Sequence, residues 1–365
     1  MSDSRVQWHN SVIGVIGGGQ LGRMLVLAAR SMNIRSVVWT GGLEAPAAEV
    51  ADRVIDLPFD DMAALAEFCD AASHATIEFE NIPPATLARV AERIALHPSP
   101  DAVAICQNRE NEKKFLQAHG IPCAAFRVVE SSASLASAMS ELNGPAVLKT
   151  AAFGYDGGGQ IKLRGDENAD DVWREFAAPR GVLEEWVSFE KELSVMVARD
   201  ADGNITAYDP AENHHRQHIL DYSIVPAGVS PRIASEAVDI ASKLASALKY
   251  CGIMGVEFFL KKDGCLLVNE IAPRPHNSGH HTLDACVTSQ FEQQIRMIVG
   301  LPAGSPRLLT PVVMLNLLGD FWLDEATPPD WRPLFADGEA CLHLYGKRKA
   351  SARRRLRESR GHLRR

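Results

Sequence analysis

A short apolar strand near the start of the chain leads directly into a glycine turn, which reads GVIGGGQLGR at residues 14–23. Gly17, Gly19 and Gly22 have the G-x-G-x-x-G spacing that lets backbone N–H groups and a helix N-terminus approach an anion. A strand, a glycine turn and a helix in this order are typical of a parallel α/β sheet. Strand and helix patterns alternate over the first hundred residues, so we predict a small parallel sheet there.

The second strand of this unit argues against a nicotinamide cofactor. In such enzymes an acidic residue at the end of that strand holds the ribose hydroxyls, about 20 residues beyond the glycines. Here the strand ends at Thr40 and Gly41, and Glu44 comes too late. We therefore predict that the glycine turn holds a substrate phosphate. The alternative is a tight strand-to-helix turn without a ligand.

Length and pattern predict a protein of two or three domains. The chain has 365 residues, which is long for one hydrophobic core. Asn108 is a helix cap for NRENEKKFLQAH, and Gly120 with Pro122 ends that helix. We expect this helix to link the first domain to the next. From 120 to 300 the pattern is rich in strands with few signals of a parallel sheet, which predicts an α+β region.

Composition limits the classes of function. The start of the chain lacks the apolar core of a signal peptide, no run is long enough to span a bilayer, and the seven cysteines are scattered singly. These features predict a reduced, cytoplasmic protein that does not bind membranes. Residues from Lys347 onward carry a charge of +9 and the preceding residues −17, which argues against nucleic acid as the main partner. The basic tail is either a solvated, disordered end or a nucleic-acid-binding arm.

Two glutamates in the stretch GVEFFLKKDGCLLVNEIA carry the strongest chemical signal. Asp263 and Gly264 stand between two β-rich runs and predict a hairpin with a two-residue loop. That register places Glu257 directly opposite Glu270, and two like charges so close are destabilising unless a cation neutralises them. Mg²⁺ suits such a pair because it completes its shell with phosphate oxygens. The alternatives are a solvated strand edge, or a longer loop that shifts the register.

Two further stretches support nucleotide chemistry. Lys149 ends a strand before the glycine-rich loop GYDGGGQ, a known way of holding ATP without a Walker motif. After Glu270 comes APRPHNSGHH, whose prolines favour an extended loop suited to anions and polar ligands. The histidines of this loop match no zinc-binding spacing.

Nine motifs in chain order resemble one family of enzymes. They are GGGQLGRM, EFENIP, QNRENEK, VLKTAAFGYDGGGQ, LEEWVSFEKELS, NHHRQHIL, GVEFFL, NEIAPRPHNSGHHT and LHLYGK. The chain thereby resembles the ATP-grasp superfamily and, within it, the 5-(carboxyamino)imidazole ribonucleotide synthases. This resemblance implies an α/β and α+β chain with the ATP-grasp fold. The implied divisions are a Rossmann-like A domain at 1–107, an ATP-grasp region at 108–300 with a mobile B lid at about 121–190, a small C-terminal part at 301–347, and an atypical basic tail at 348–365.

The resemblance also implies the reaction and its participants. ATP, bicarbonate and aminoimidazole ribonucleotide would give ADP, phosphate and the N-carboxylated ribonucleotide through carboxyphosphate, with two Mg²⁺ ions, or Mn²⁺ in their place. Family members are usually homodimers. The alternative within the superfamily is another ligase, such as the formate-dependent glycinamide ribonucleotide transformylase.

The site residues implied by the resemblance fall into four groups. The catalytic group is Tyr155, Asp156 and Arg274. The ATP-binding group is Arg109, Lys149, Gly154, Gly157, Gly158, Gly159, Gln160, Glu184, Glu185, Trp186, Val187, Glu192, His215, Asn269 and Glu270. The metal ligands are Glu257 and Glu270. The substrate-binding group is Gln20, Leu21, His276, Asn277, Ser278 and Lys347.

The sequence departs from the family after Lys347. The family continues with R-P-G-R-K-M-G-H and a last strand and helix, whereas this chain continues with RKASARRRLRESRGHLRR. This change is typical of a frameshift or an altered terminus. We expect the affinity for the ribonucleotide to be weakened and ATP binding to be largely intact.

Overall fold

The structure is a computed structural model that describes residues 8–152, 159–319, 327, 329–346 and the backbone of 361–364. Its first part is the predicted parallel sheet, with five strands in the order β3-β2-β1-β4-β5. The elements of this part are β1 (Val12–Ile16), α1 (Gln20–Ser31), β2 (Arg35–Trp39), β3 (Arg53–Ile55), α2 (Met62–Ala71), β4 (His74–Ile77), α3 (Pro84–Ala91), β5 (Ala95–Leu96), α4 (Pro100–Gln107) and α5 (Arg109–Ala118). Asn108 caps α5 as predicted, because its side-chain oxygen accepts a hydrogen bond from Asn111 N–H at 3.1 Å.

A second, smaller sheet follows α5. It has four antiparallel strands in the order β6-β9-β7-β8. Its elements are β6 (Phe126–Val129), α6 (Ser132–Leu142), β7 (Ala146–Thr150), β8 (Gln160–Leu163), α7 (Ala169–Phe176) and β9 (Gly181–Glu185). Apolar side chains of α6 and α7, including Leu135 and Phe176, pack against Leu148 and Leu183 of the sheet. This unit corresponds to the region implied to be the lid.

The third sheet is large and antiparallel, in the order β15-β14-β10-β12-β13-β16-β18-β17, with β11 paired to β10. Its elements are β10 (Lys191–Arg199), β11 (Ile205–Ala207), β12 (Ala211–Arg216), β13 (Ile219–Val225), α8 (Pro231–Ala247), β14 (Gly252–Leu260), β15 (Leu266–Ala272), α9 (Thr282–Ala285), α10 (Gln290–Ile298), β16 (Val312–Leu317), α11 (Arg332–Phe335), β17 (Cys341–Leu344) and β18 (Gly361–Arg364). The prediction of a parallel sheet followed by α+β structure is confirmed.

Helix α10 packs between the parallel sheet and the large sheet. Phe291 and Ile295 of α10 are buried in one cluster with Leu25 of α1 and with Val15 of β1. On the other side, α8 packs its buried alanines and Leu244 against β10 and β14. These contacts bring the ends of the parallel strands close to the hairpin of β14 and β15.

The hairpin corrects one prediction and confirms another. The loop is longer than two residues, because Lys261 N–H bonds the carbonyl of Cys265 and Gly264 has a positive φ of 80°. The register next to the loop is therefore shifted by one residue, and Phe258 pairs with Val268. A β-bulge at Asn269 restores the alternation, so the predicted pairing of Glu257 with Glu270 is confirmed.

The C-terminal tail also differs from its prediction in part. Disorder was expected for 348–365, but Gly361–Arg364 form β18, which pairs with both β16 and β17. An edge strand with free N–H and C=O groups accepts another extended segment readily, which is the physical reason for this pairing. None of the helices in the described part of the chain is long and apolar enough to cross a lipid bilayer.

Candidate active site

Glu257 and Glu270 face each other where β14 pairs with β15. Burial raises the pKa of Glu257 above its usual range, and the negative charge of Glu270 raises it further. The side-chain amide of Asn269, the residue that forms the bulge, donates a hydrogen bond to Glu257. The bulge thus places an amide donor beside the carboxylate pair.

The carboxylate pair fits a divalent cation that takes most of its ligands from elsewhere. Among the residues that the structure describes, no group of three or more His, Cys, Asp or Glu side chains is arranged to hold a metal alone. Mg²⁺ is usually held by one or two carboxylates together with phosphate oxygens and water. Glu257 and Glu270 therefore suit Mg²⁺ accompanied by a nucleotide, and the histidine-rich loop does not form a zinc cluster within the described residues.

Three cationic side chains surround the buried carboxylate of Glu184 on β9. The ammonium groups of Lys113 and Lys149 each lie 3.2 Å from its oxygens, and the guanidinium of Arg109 lies at 3.9 Å. Burial alone would raise the pKa of Glu184, but these charges lower it to about 2. We call these four residues the cation cluster.

The backbone fixes two of these cations in place. Arg109 is the first residue of α5, and its N–H donates to the carbonyl of Ala151 at 2.7 Å. Lys149 lies on β7, where it pairs with Gln160. Burial and the neighbouring cations lower the pKa of Lys149, although Glu184 opposes them. The predicted phosphate contacts Arg109 and Lys149 are thus brought together.

Lys113 joins the cation cluster to the carboxylate pair, and our sequence reasoning missed it. Its side chain is fully buried, and its ammonium donates to the carbonyl of Asn269 at 3.2 Å as well as contacting Glu184. Lys113 is four residues after Arg109 on α5, so the two share one helix face. That spacing is the signal that could have identified it.

A cavity lies between the cation cluster and the carboxylate pair. Glu80, Arg109, Glu112 and Glu270 line it. Glu112, also missed from the sequence, accepts a hydrogen bond from Ile271 N–H at 3.1 Å. Burial raises the pKa of Glu112 to about 7 against the opposing charges of Lys113 and Arg109.

Arg274, predicted to bind an oxyanion, is held at the edge of this site by Glu80. Two guanidinium nitrogens contact the carboxylate, one of them at 3.3 Å. Despite burial, this contact raises the pKa of Arg274 and lowers that of Glu80. Glu80 belongs to the EFENIP motif but was not among the predicted site residues.

The glycine turn carries a protein carboxylate where a phosphate was predicted. Glu78 accepts hydrogen bonds from Gly19 N–H at 2.9 Å and from Gly22 N–H at 3.2 Å. A phosphate would have to displace this carboxylate, so the geometry favours the alternative of a turn without a ligand. The side chain of Leu21 is buried in the core, which leaves only its backbone for a substrate contact.

Other predicted substrate residues do meet at one place. The side-chain amide of Gln20 donates to Asn277 Oδ1 at 2.9 Å. His276 lies beside the carboxylate pair, with its Nε2 3.4 Å from Glu257 Oε1. Burial, together with the positive charge of Arg274, lowers the pKa of His276 to about 3. The hydroxyl of Ser278 is fully buried beneath His276.

The predicted nucleotide residues at the end of β9 lie on a partly open surface. Trp186 is 41% exposed, and the Lys162 ammonium lies 5.0 Å from its ring centroid. Glu185 is exposed and Val187 is half-buried, whereas the side chain of Glu184 points into the cation cluster. At the end of β9, Glu185 and Trp186 are therefore open to solvent, whereas Glu184 is buried among cations.

The remaining nucleotide residues form a pair near the carboxylates. Glu192 contacts His215 Nδ1 through a short ion pair. Burial works against protonation of His215, but Glu192 and the nearby Glu257 raise its pKa. Of the glycine-rich loop, Gly159 and Gln160 are described. The predicted site residues that lie outside the described residues are Gly154, Tyr155, Asp156, Gly157, Gly158 and Lys347.

Comparison with known proteins assigns the chain to a family. Residues 11–107 match the family described as ribonucleotide synthetase preATP-grasp domain, and residues 114–291 match the ATP-grasp domain. The chain is similar to the N5-carboxyaminoimidazole ribonucleotide synthase of Brucella melitensis, with 43% identity over 348 residues that cover 95% of this chain and 94% of that protein.

Solved structures agree with the sequence relatives. The chain is similar to an N5-carboxyaminoimidazole ribonucleotide synthetase in complex with ADP, with a TM-score of 0.90, 40% identity, and coverage of 97% of this chain and 92% of that one. It is also similar to the Aspergillus clavatus synthase in complex with ADP and 5-aminoimidazole ribonucleotide, with a TM-score of 0.86, 30% identity, and coverage of 98% and 94%. The chain therefore belongs to the N5-carboxyaminoimidazole ribonucleotide synthase family and is an ATP-dependent ligase of the ATP-grasp superfamily.

Proposed function

We propose that this chain carboxylates 5-aminoimidazole ribonucleotide with bicarbonate at the expense of ATP, giving N5-carboxyaminoimidazole ribonucleotide, ADP and phosphate. One observation carries the proposal: the cation cluster lies directly beside the carboxylate pair. Within the cluster, Lys113 contacts Glu184, and it also donates to the backbone carbonyl of Asn269, the residue before Glu270. A triphosphate with its metal needs cations and carboxylates side by side in this way.

The first step would be transfer of the γ-phosphoryl group to bicarbonate. A bicarbonate oxygen attacks γ-phosphorus, the bond to the β–γ bridging oxygen breaks, and ADP leaves. Mg²⁺ held by Glu257 and Glu270 would supply additional positive charge when bound. Lys149 and Arg109 offset the negative charge of the transferred group, and Glu184 holds both cations where that charge develops.

The second step would join the carboxyl carbon to the exocyclic amine of the ribonucleotide. The amine attacks either carboxyphosphate or CO₂ released from it, and phosphate leaves. We propose that Asp156 orients this amine and accepts its proton, and that Arg274 stabilises the oxyanion of the intermediate. Carboxyphosphate reacts with water, so the lid must exclude solvent during this step.

Other contacts complete the proposal. We propose that Glu192, His215 and the end of β9 bind the nucleoside, and that Gln20, Asn277, Tyr155 and Lys347 surround the ribonucleotide. By family resemblance the chain acts as a homodimer, with two Mg²⁺ ions or with Mn²⁺.

An ADP-release assay tests the function directly. Purified protein with Mg²⁺ and ATP is given bicarbonate with aminoimidazole ribonucleotide, or formate with glycinamide ribonucleotide. We expect ADP release to need bicarbonate and the imidazole amine together, and to be lost in Glu257→Gln. Release that depends on formate would assign the chain to the alternative ligase instead.

The basic tail gives a separate test within this function. We propose that replacing residues 348–365 by a family-like terminus lowers the KM for the ribonucleotide and leaves the KM for ATP unchanged. Equal KM values for the ribonucleotide in the two proteins would refute this part of the proposal.

A further inference from the structure

A row of buried polar side chains crosses the large sheet and ends at His276. The hydroxyl of Ser223 donates to Asn213 Oδ1 at 2.7 Å, and Asn213 Nδ2 donates to Ser194 Oγ at 2.9 Å. Ser194 in turn donates to Ser278 Oγ at 2.8 Å, and Ser278 Oγ lies 2.9 Å from His276 Nδ1. We call Ser223, Asn213, Ser194 and Ser278 the Ser–Asn chain. All four side chains are buried, with exposed fractions of 0–4%.

The contacts of the imidazole ring define which nitrogen carries the proton. The backbone N–H of Ser278 points at Nδ1 of His276 at 3.4 Å, and a backbone N–H can only donate. On the other side of the ring, Nε2 lies 3.4 Å from Oε1 of Glu257. Because the ring accepts at Nδ1, the hydrogen of the neutral imidazole is on Nε2.

The hydrogen-bond direction along the Ser–Asn chain agrees with this tautomer. Because the Ser278 hydroxyl donates to Nδ1, its oxygen accepts from Ser194, and the oxygen of Ser194 accepts from the amide of Asn213. Asn213 is the only member whose donor and acceptor are different atoms. Its Oδ1 accepts from Ser223, so its NH₂ group must face Ser194.

The backbone of His276 is held independently. The side-chain amide of Gln290, itself fully buried, accepts from His276 N–H at 2.9 Å and donates to His276 C=O at 2.8 Å. With the backbone fixed, only the rotation of the His276 ring and its tautomer can still vary. The hydrogen bond from Ser278, the last member of the Ser–Asn chain, to Nδ1 restricts both.

We propose that the Ser–Asn chain is a positioning network that keeps His276 as its Nε2–H tautomer, with that N–H directed at Glu257. A carboxylate that binds a metal is oriented by such outer hydrogen bonds. Ser194, Asn213 and Ser278 would thus be positioning residues for the carboxylate pair. The tautomer is a property of the folded chain, whereas its consequence for catalysis rests on the proposed function.

The tautomer can be measured without any reaction. NMR of the full chain labelled with ¹⁵N-histidine distinguishes a protonated from an unprotonated ring nitrogen, and the spectrum of His276→Asn assigns the signals. We expect Nδ1 of His276 to be unprotonated and Nε2 to be protonated. A wild-type spectrum with the proton on Nδ1 would overturn the proposal, whatever the behaviour of the Asn213 variant.

Asn213→Asp tests the role of the network. Aspartate has nearly the same shape but replaces the donor toward Ser194 by an acceptor, which reverses the hydrogen bonds as far as the ring. We expect the Nδ1–H tautomer to become populated. We also expect the rate of bicarbonate-dependent ADP release to fall by about 10- to 100-fold, as for other outer partners of metal ligands.

Ser223→Thr is the matched control. It alters the same buried network by one methyl group but keeps the hydroxyl that donates to Asn213 Oδ1 and every donor between Asn213 and the ring, so the wild-type tautomer should persist. The proposal is wrong if Asn213→Asp keeps the wild-type tautomer, or if Ser223→Thr changes it equally. If the wild type releases no ADP with bicarbonate and the imidazole amine, the proposed function fails while the NMR result still decides the tautomer.

Discussion

Replacing Glu184 by glutamine removes the negative charge at the centre of the cation cluster. The Glu184 side chain is only 4% exposed, and its oxygens contact the ammonium groups of Lys113 and Lys149 at 3.2 Å. Arg109 is the third cation, at 3.9 Å. Glu184→Gln preserves the shape of the side chain, so its effect is mainly that of the charge.

The structure gives the expected size of this effect. Burial would raise the pKa of Glu184, but Lys113, Lys149 and Arg109 lower it from 4.5 to about 2. A lowering of this size corresponds to about 3 kcal/mol of stabilisation by the ionised form. Removing one partner of a buried ion pair costs a similar amount, about 3–5 kcal/mol. We therefore expect the free energy of unfolding at neutral pH to fall by about 3 kcal/mol.

Urea unfolding of the two proteins across a pH series is the assay. A carboxyl whose folded-state pKa is depressed stabilises the protein above its unfolded-state value of 4.5, and this stabilisation is lost as the pH falls toward about 2. The difference between wild type and Glu184→Gln should thus be constant above pH 4.5 and shrink below it.

Glu185→Gln is the control, because Glu185 is the next residue on β9 and is exposed. We expect its free energy of unfolding to change by no more than about 0.5 kcal/mol. Equal stability of Glu184→Gln and wild type at neutral pH would refute the reasoning. So would a difference between them that stays the same on acidification.

Three further changes test other parts of the structure. In metal-free protein, Glu257→Gln should raise the free energy of unfolding in urea by up to about 1 kcal/mol, because it removes one of two opposed like charges. In addition, Mg²⁺ should no longer raise the Tm of this variant. Gln217 and His218 have φ values of 54° and 66° in a two-residue hairpin loop. Replacing them with Asn-Gly should therefore stabilise the protein by about 1–2 kcal/mol in urea unfolding, and a loss of stability would contradict the turn geometry. Glu78→Gln should cost about 1 kcal/mol by weakening the cap of α1, and an unchanged Tm would argue that this carboxylate does not cap the helix.

The hairpin illustrates what the sequence could and could not predict. Asp263 and Gly264 correctly indicated a turn, and the opposed glutamates followed from it. The loop is one residue longer than predicted, and the bulge at Asn269 compensates for the shift. A bulge inserts one residue into an otherwise regular alternation, so a single apolar pattern does not reveal where it lies.

Long-range contacts account for the other differences. Glu184 was assigned to the nucleotide site through the family resemblance, but its environment is set by Arg109 and Lys113, which lie on a helix more than seventy residues earlier. Glu78 directly follows β4 and occupies the glycine turn, 59 residues beyond Gly19. Local spacing predicted the pairing of Glu257 with Glu270 correctly, whereas the side chains that surround Glu184 or occupy the glycine turn are determined by the fold.

Anomalous diffraction from crystals grown with Mn²⁺ and ADP would show whether Glu257 and Glu270 bind a metal together with a nucleotide. Mn²⁺ accepts the same oxygen ligands as Mg²⁺, and its anomalous signal locates it without bias from the atomic coordinates. We expect an anomalous peak coordinated by carboxylate oxygens of both Glu257 and Glu270 and by phosphate oxygens of ADP. A peak bound elsewhere, or ADP bound with no metal between these two glutamates, would contradict it.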